Sequence, residues 1–245
     1  MEIEWPQLKH AGYWEVCLCS LYTLDWERGY KYSRVMTKEN KWSKAFYQYL
    51  EAVFLCSMDE SRFEEVKELL AEIPGLMKRV AGRSIPIEKF ALHRANMVIE
   101  ENRMPFHPAL EIALLWDGLP WISQKDREYI ESMMIKAIPA IEDPEKKCQV
   151  LLTLATLKRL QKNYGAAIEY SSTALQLNVP EDSYCIPLAN LELSQAHLEQ
   201  GNMPMADKYY NDSVNYKYQY LVKKFLEIRQ SRLRIEIEMK KRNNG

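Results

Sequence analysis

One stretch constrains the fold more than any other. From Leu151 to Leu177 the chain reads LLTLATLKRLQKNYGAAIEYSSTALQL, two apolar-periodic runs joined by a short turn. Leu154-Ala155 puts a small residue where two helices would cross, and Tyr164 would fill the turn. Ala167 is the small residue of the second run, and Ala174-Leu175 closes it. Small residues at a crossing let two helix axes approach, while larger ones fill the gap to the next pair. The arrangement returns at Leu193-Ser194, Gly201, Ala206, Tyr210 and Ser213. Ala167 to Ala206 is a shift of 39 residues, with the surplus in the connection NVPEDSYCIP. An earlier copy reads Val16-Cys17, Trp26 and Gly29. A single helix pair cannot bury its apolar face alone, so units of this kind must stack.

The rest of the chain carries the same helical grammar. Asp25 is placed to cap a helix from about Trp26 to Lys38, and NKWSKAFYQYLEAVFL is long enough for four turns. Ser61-x-x-Glu64 reads as a capping box opening RFEEVKELLAEI, with Pro74-Gly75 as its stop. GLMKRVAGRSIP, holding Gly75, Gly82 and Pro86, reads as a loop with room for a short helix and as a joint between two halves. Further helices are expected from about Ile87 to Glu100, in ALEIALLWDG flanked by Pro105 and Pro108, and after Ser123-x-x-Asp126. Asp143-Pro144-Glu145 has the form of a helix start, with proline at the first helical position. A long last helix should run from about Tyr216 to Met239, with Leu221, Phe225, Ile228, Ile235 and Met239 as its apolar stripe. Strand signals are nearly absent, and only 8 of 245 residues are glycine, which favours helices over a turn-rich β fold.

The period and the placing of small residues are those of tetratricopeptide units, helix–turn–helix repeats of about 34 residues. The expected fold is all-α: a tetratricopeptide-like superhelical array of antiparallel helix pairs with a C-terminal capping helix. It is read as one helical-repeat domain over residues 1–245. The clearest repeats are 8–39, 148–179 and 187–215, the capping helix is 216–241, and the joint lies near 74–86. Four segments, KENKWSKAFYQYLEAVFL, IPGLMKRVAGRSIPIEKFALHRA, HPALEIALLWDG and YCIPLANLELSQAHLEQGN, resemble the C-terminal half of the tetratricopeptide repeat protein 39 family. That animal family is similar to fungal inclusion-body clearance proteins of the mitochondrial outer membrane, cytosol and nucleus. The resemblance implies an all-helical repeat protein with no known catalytic activity and, for some members, links to lipid metabolism and protein turnover. Family members are roughly twice as long, so the chain reads either as a short form or as a fragment without the N-terminal half.

Composition removes several function classes. The formal net charge is −1, which gives no general attraction to nucleic acid. The charge is uneven, because the stretch from Tyr216 onward carries nine basic and three acidic residues. Five scattered cysteines without a C-x-x-C pattern read as reduced core residues of a cytoplasmic or nuclear protein, with the cytoplasm as the expected location. The resemblance adds the nucleus and the mitochondrial outer membrane surface as locations. His10, His93, His107 and His197 form no zinc spacing, and neither a phosphate-binding glycine loop nor a nucleophile elbow occurs. No catalytic, metal-ligating or cofactor-binding residue is therefore assigned, and no cofactor is expected. The acid in LWDG is read as part of a helix end.

Function is expected to lie in binding other proteins. First helices of stacked pairs line a groove, and here that face carries Trp14, Leu18, Tyr22, Thr153, Thr156, Arg159, Glu192, Gln195 and Glu199. Arrays that clamp the C-terminal carboxylates of chaperones place Lys, Asn and Arg there. Trp14 and Leu18, Leu152 and Thr156, and Leu191 and Gln195 hold those places instead, so no chaperone tail is expected as a partner. The expected function is a non-catalytic scaffold or adaptor. The alternative is an organelle-surface or lipid-metabolism-linked adaptor that touches a membrane peripherally through its basic C-terminal helix.

Overall fold

A computed structural model describes residues 6–80, 83–104 and 107–243. Gly82 and Pro105, to which the sequence assigned a loop and a helix flank, lie outside the described residues. The chain is built of helices that pack in consecutive antiparallel pairs, and it divides into two compact units, one up to Ala113 and one from Leu114. The division falls inside one helix, α6 (Pro108–Leu115).

The first unit contains α1 (Pro6–Thr23), α2 (Trp26–Glu39), α3 (Lys44–Met58), α4 (Phe63–Leu76) and α5 (Pro86–Glu101), followed by the start of α6. Its centre is α3, where Phe46, Tyr49, Leu50, Ala52, Val53, Phe54 and Leu55 are all buried. A helix enclosed on nearly every side loses the one-faced pattern of a surface helix. Gly29 of α2 sits against the Phe54 ring so closely that a methyl group there would overlap it. The glycine is thus a helix-contact residue. Between α4 and α5 lies a minimal antiparallel ladder, β1 (Arg79–Val80) and β2 (Arg83–Ser84), paired Arg79 to Ser84 and Val80 to Arg83. The segment read from sequence as a loop with a short helix contains this ladder instead.

The second unit contains α7 (Gln124–Ala137), α8 (Pro144–Leu160), α9 (Tyr164–Leu175), α10 (Cys185–Gln200), α11 (Met203–Val214) and α12 (Lys223–Asn243). The small residues of the repeat act as packing points. Ala167, Ala174 and Ala206 are buried, Ser194 Oγ donates to the Ala206 carbonyl at 2.7 Å, and Ser213 Oγ donates to the Pro187 carbonyl at 2.7 Å. Hydroxyls spent on a neighbouring helix's carbonyls satisfy buried polar groups while keeping the crossing tight.

The repeat is visible in its turns at atomic detail. Leu24, Lys162 and Gly201 each have positive φ, 54°, 60° and 89°, and each is followed by an Asp or Asn. That residue's backbone N–H reaches back five positions: Asp25 to the Ser20 carbonyl at 3.0 Å, Asn163 to Lys158 at 2.9 Å, Asn202 to His197 at 2.8 Å. Its side-chain oxygen then accepts from the N–H three residues on, that of Arg28, Ala166 or Met205. One helix is closed and the next is capped by the same two residues.

Three local expectations need correction. α4 opens without a side-chain cap, after a short 3-10 turn (Glu60–Arg62) that Asp59 caps, its Oδ1 accepting from the Ser61 N–H at 3.0 Å and the Ser61 hydroxyl at 2.7 Å. Ser61 lies inside that turn rather than at a helix N-cap, and it forms no capping box. Pro74 lies inside α4, which continues to Leu76. Its missing N–H costs one bond near the helix end, where the chain is about to leave the helix in any case. The last helix begins at Lys223 rather than near Tyr216. Before it, Tyr216 Oη donates to the Glu181 carbonyl at 2.7 Å and Tyr218 Oη to Glu181 Oε1 at 2.5 Å. Val222, at φ 61°, then turns the chain into the helix, a conformation that a β-branched residue resists.

Candidate functional site

The residues expected to line a groove separate into two sets. In the first unit, Trp14, Leu18 and Tyr22 follow one another at four-residue spacing along α1, and all three are half-buried. The Trp14 ring centroid lies 5.9 Å from that of Phe46 and 6.0 Å from that of Tyr47, both on α3. Tyr47 is itself half-buried, and burial pushes its hydroxyl up to about 12, with the nearby Cys17 adding to the rise. This is an aromatic strip that is packed from below and open from above.

In the second unit the expected lining residues meet a different fate. Thr153 and Thr156 are buried and spend their hydroxyls on the Gln149 and Leu152 carbonyls of their own helix, each at 3.0 Å. Arg159, Glu192 and Glu199 come together in ion pairs. Arg159 Nε stands 3.2 Å from Glu192 Oε2, and its Nη1 stands 2.8 Å from Glu199 Oε1. Gln195 and Glu199 remain half-exposed. The other Glu192 oxygen receives Arg229 Nη2 of α12 at 2.5 Å. Arg229 also stands 3.6 Å from Asp117 and donates to the Leu114 carbonyl at 3.3 Å, while Arg232 pairs with Asp117 at 2.5 Å. Three arginines thus face three carboxylates, and α12 is fastened to α10 and α11.

Burial by itself would raise the Glu192 carboxyl, but Arg159 and Arg229 outweigh it and hold the group below the ordinary carboxylate range. Burial likewise works against the charge on Arg159, and Glu192 and Glu199 overcome it, so its guanidinium is held above its usual value. The arrangement can bear structural load and fix the register of α12. A reaction would need an acid or base poised near neutrality, whereas Glu192 and Arg159 are driven further into their charged forms.

Sequence reasoning passed over Asp117, Arg229 and Arg232. The signal for Arg229 was present: it stands within the real buried face of α12, which is Leu226, Arg229, Gln230, Leu233 and Ile237. Reading apolarity alone selected Ile228, Ile235 and Met239, which are exposed. The correction has a physical reason. Gln230 Nε2 finds Ser213 Oγ at 2.9 Å and Arg229 finds Glu192, so polar residues occupy the inward side at no cost in unpaired groups. Asp117, read as part of a helix end, is the ion-pair partner of two arginines of α12 and accepts a hydrogen bond from Arg232.

Elsewhere, His10 lies 3.5 Å from Glu39, and His197 stacks on Tyr209 with ring planes 3° apart. Among the described residues no group of three or more His, Cys, Asp or Glu side chains is placed to hold a metal, and no helix is long and apolar enough to cross a membrane.

Fold and geometry together define a helical-repeat protein of the tetratricopeptide class. The chain belongs to the Iml2/Tetratricopeptide repeat protein 39 family, whose family model matches residues 1–160. Among curated relatives, the Caenorhabditis elegans tetratricopeptide repeat protein ttc-39B is 33% identical over 119 residues, which cover 46% of this chain and 20% of that protein. The match therefore spans about a fifth of the relative's length. No solved structure matches.

Proposed function

We propose that the protein is a non-catalytic scaffold that binds other proteins, and that the α1 strip of Trp14, Leu18 and Tyr22 is part of its binding surface. The observation that carries the reading is the contrast between the two candidate sets. In the second unit Thr153, Thr156 and Glu192 are buried and Arg159 is spent on Glu192 and Glu199, whereas the α1 strip keeps large side chains half-open to solvent. Such side chains, held by aromatic neighbours, offer contact area at low ordering cost. Membership of a tetratricopeptide family supports the same reading. Gln195 and Glu199, at the margin of that buried set, are the second-unit positions that stay within reach of a partner.

The test is quantitative affinity purification of the full chain against Leu18→Arg and Trp14→Ala variants that melt normally. Loss of a reproducible subset of co-purifying proteins is the expected result. Retention of every one of them removes α1 from the binding surface.

A second reading, an adaptor at an organelle surface that uses the basic C-terminal helix, is favoured by one observation. The outward side of α12 is both apolar and basic.

A further inference from the structure

Along α12, Lys224, Ile228, Arg232, Ile235, Met239 and Arg242 follow at spacings of four, four, three, four and three. At 3.6 residues per turn all six fall within about 40° of a single line, and Glu227, Glu236 and Glu238 fall about 80° or more away from it. All six are exposed. The apolar members are no marginal cases: Ile228 is 62% exposed, Ile235 58% and Met239 57%. Large aliphatic side chains at helical spacing and open to water mark an interaction face. This one contains three apolar groups and three cations; Lys224 leans on Glu227 at 2.6 Å and Arg232 on Asp117 at 2.5 Å, while Arg242 lies at the far end of the line.

The opposite side of the helix is accounted for. Leu226, Arg229, Gln230, Leu233 and Ile237 are buried, Lys240 donates to the Leu198 carbonyl at 2.8 Å, and Lys241 pairs with Asp207 at 2.6 Å. The inward side therefore fixes which side points out. The outward face is also a ridge, since Ser231, Arg234 and Glu238 on one flank and Lys240 and Asn243 on the other are exposed as well.

We propose that this ridge seats on an anionic phospholipid surface, with Ile228, Ile235 and Met239 entering the headgroup–acyl boundary and Lys224 and Arg242, at the two ends of the line, meeting lipid phosphates and carboxylates. An interfacial helix combines these elements in this way, apolar side chains along one line with cations beside them. Long basic side chains can keep their stems in the apolar layer while their heads stay at the polar level. Charge selects this occupant. A second copy of the chain would set one net-basic helix against another, since α12 carries eight basic and three acidic residues, and an acidic helix would need a groove where the structure has a ridge. The inference rests on the second reading above, the surface adaptor, and is independent of the α1 strip.

Flotation of the full chain with vesicles tests it. Vesicles of phosphatidylcholine alone are compared with vesicles of phosphatidylcholine and phosphatidylserine, at low and at physiological salt. Binding to the phosphatidylserine vesicles is expected, weakened by salt. It should fall by about tenfold or more in an Ile228→Asn, Ile235→Asn, Met239→Asn variant, and by a similar factor in Lys224→Ser, Arg242→Ser. All five positions face solvent, and an unchanged circular dichroism spectrum and melting curve for each variant shows that the fold persists. Equal binding to neutral vesicles keeps the surface adaptor and overturns the anionic-headgroup inference. Binding to neither vesicle overturns both. Binding that survives the triple substitution reduces the contact to diffuse attraction and overturns the seated helix. A dimer in sedimentation equilibrium that the triple substitution abolishes assigns the ridge to a second copy and also overturns it.

Discussion

At the scale of single residues, Glu192 carries the most consequence. It is 1% exposed, and its two oxygens hold arginines from two different helices, α8 and α12. Removing one member of a buried ion cluster leaves its partners charged and dry, which typically costs about 3–5 kcal/mol. Glu192→Ala is therefore expected to destabilise the protein by about that amount in urea unfolding. A loss under about 1 kcal/mol would mean that water reaches Arg159 and Arg229 freely. The same residue shows why the site was only half legible. Arg159, Glu192 and Glu199 could be named from their places on first helices, because helical spacing put them on one face. Their role could not, since it depends on Arg229 and Asp117, more than a hundred residues apart in sequence.

At the scale of elements, the helices were the most legible part, because their caps are local chemistry. Asp25, Ser123 and Asp143 accept from the N–H three residues on, as their types and positions suggested. Where the reading slipped, a competing local interaction was responsible: Asp59 outbids Ser61 as the cap of its turn, and the tyrosines bonded to Glu181 hold residues 216–222 out of α12. The turns themselves are legible in the sequence, but their common bonding is not, because the first residue differs each time, as Leu24, Lys162 or Gly201. Only glycine adopts that conformation without strain, and other residues give up about 1 kcal/mol there. Lys162 is exposed and its side chain has no burial to lose. Lys162→Gly is expected to raise the stability of the chain by about 0.5–1 kcal/mol, read as a higher melting temperature. A lower one would show that the lysine's own surface interactions outweigh the backbone gain.

At the scale of the whole molecule, two compact units carry buried carboxylates with opposite responses to acid. In the second unit the Glu192 carboxyl is held low, so its contribution to stability is complete above the ordinary carboxylate value of about 4.3 and is lost as pH falls through its lower folded value. In the first unit burial holds the Glu51 carboxyl high, against the pull of Thr37, Arg34 and Lys38. Protonation of Glu51 therefore relieves the folded state as pH falls. Hydrogen exchange followed into the acid range should show α8, α10 and α12 losing protection before α3. The reverse order would show that Glu192 does not govern the acid response of its unit. Neither response could be read from the sequence, since both carboxylates stand at ordinary helix positions and only their burial and neighbours set them apart.

The recurrent turn has a consequence for construction. Asn163 and Asn202 stand 39 residues apart and occupy the same place in it. The stretch from Asn163 to Gly201 thus begins with a cap and ends with the left-handed residue that precedes the next cap. Both of its ends are the same joint. A second copy inserted in frame after Gly201 would meet Asn202 through a junction the chain already uses and would add one whole helix pair. The array carries its own ruler, and it can be lengthened by whole divisions without designing a new connection.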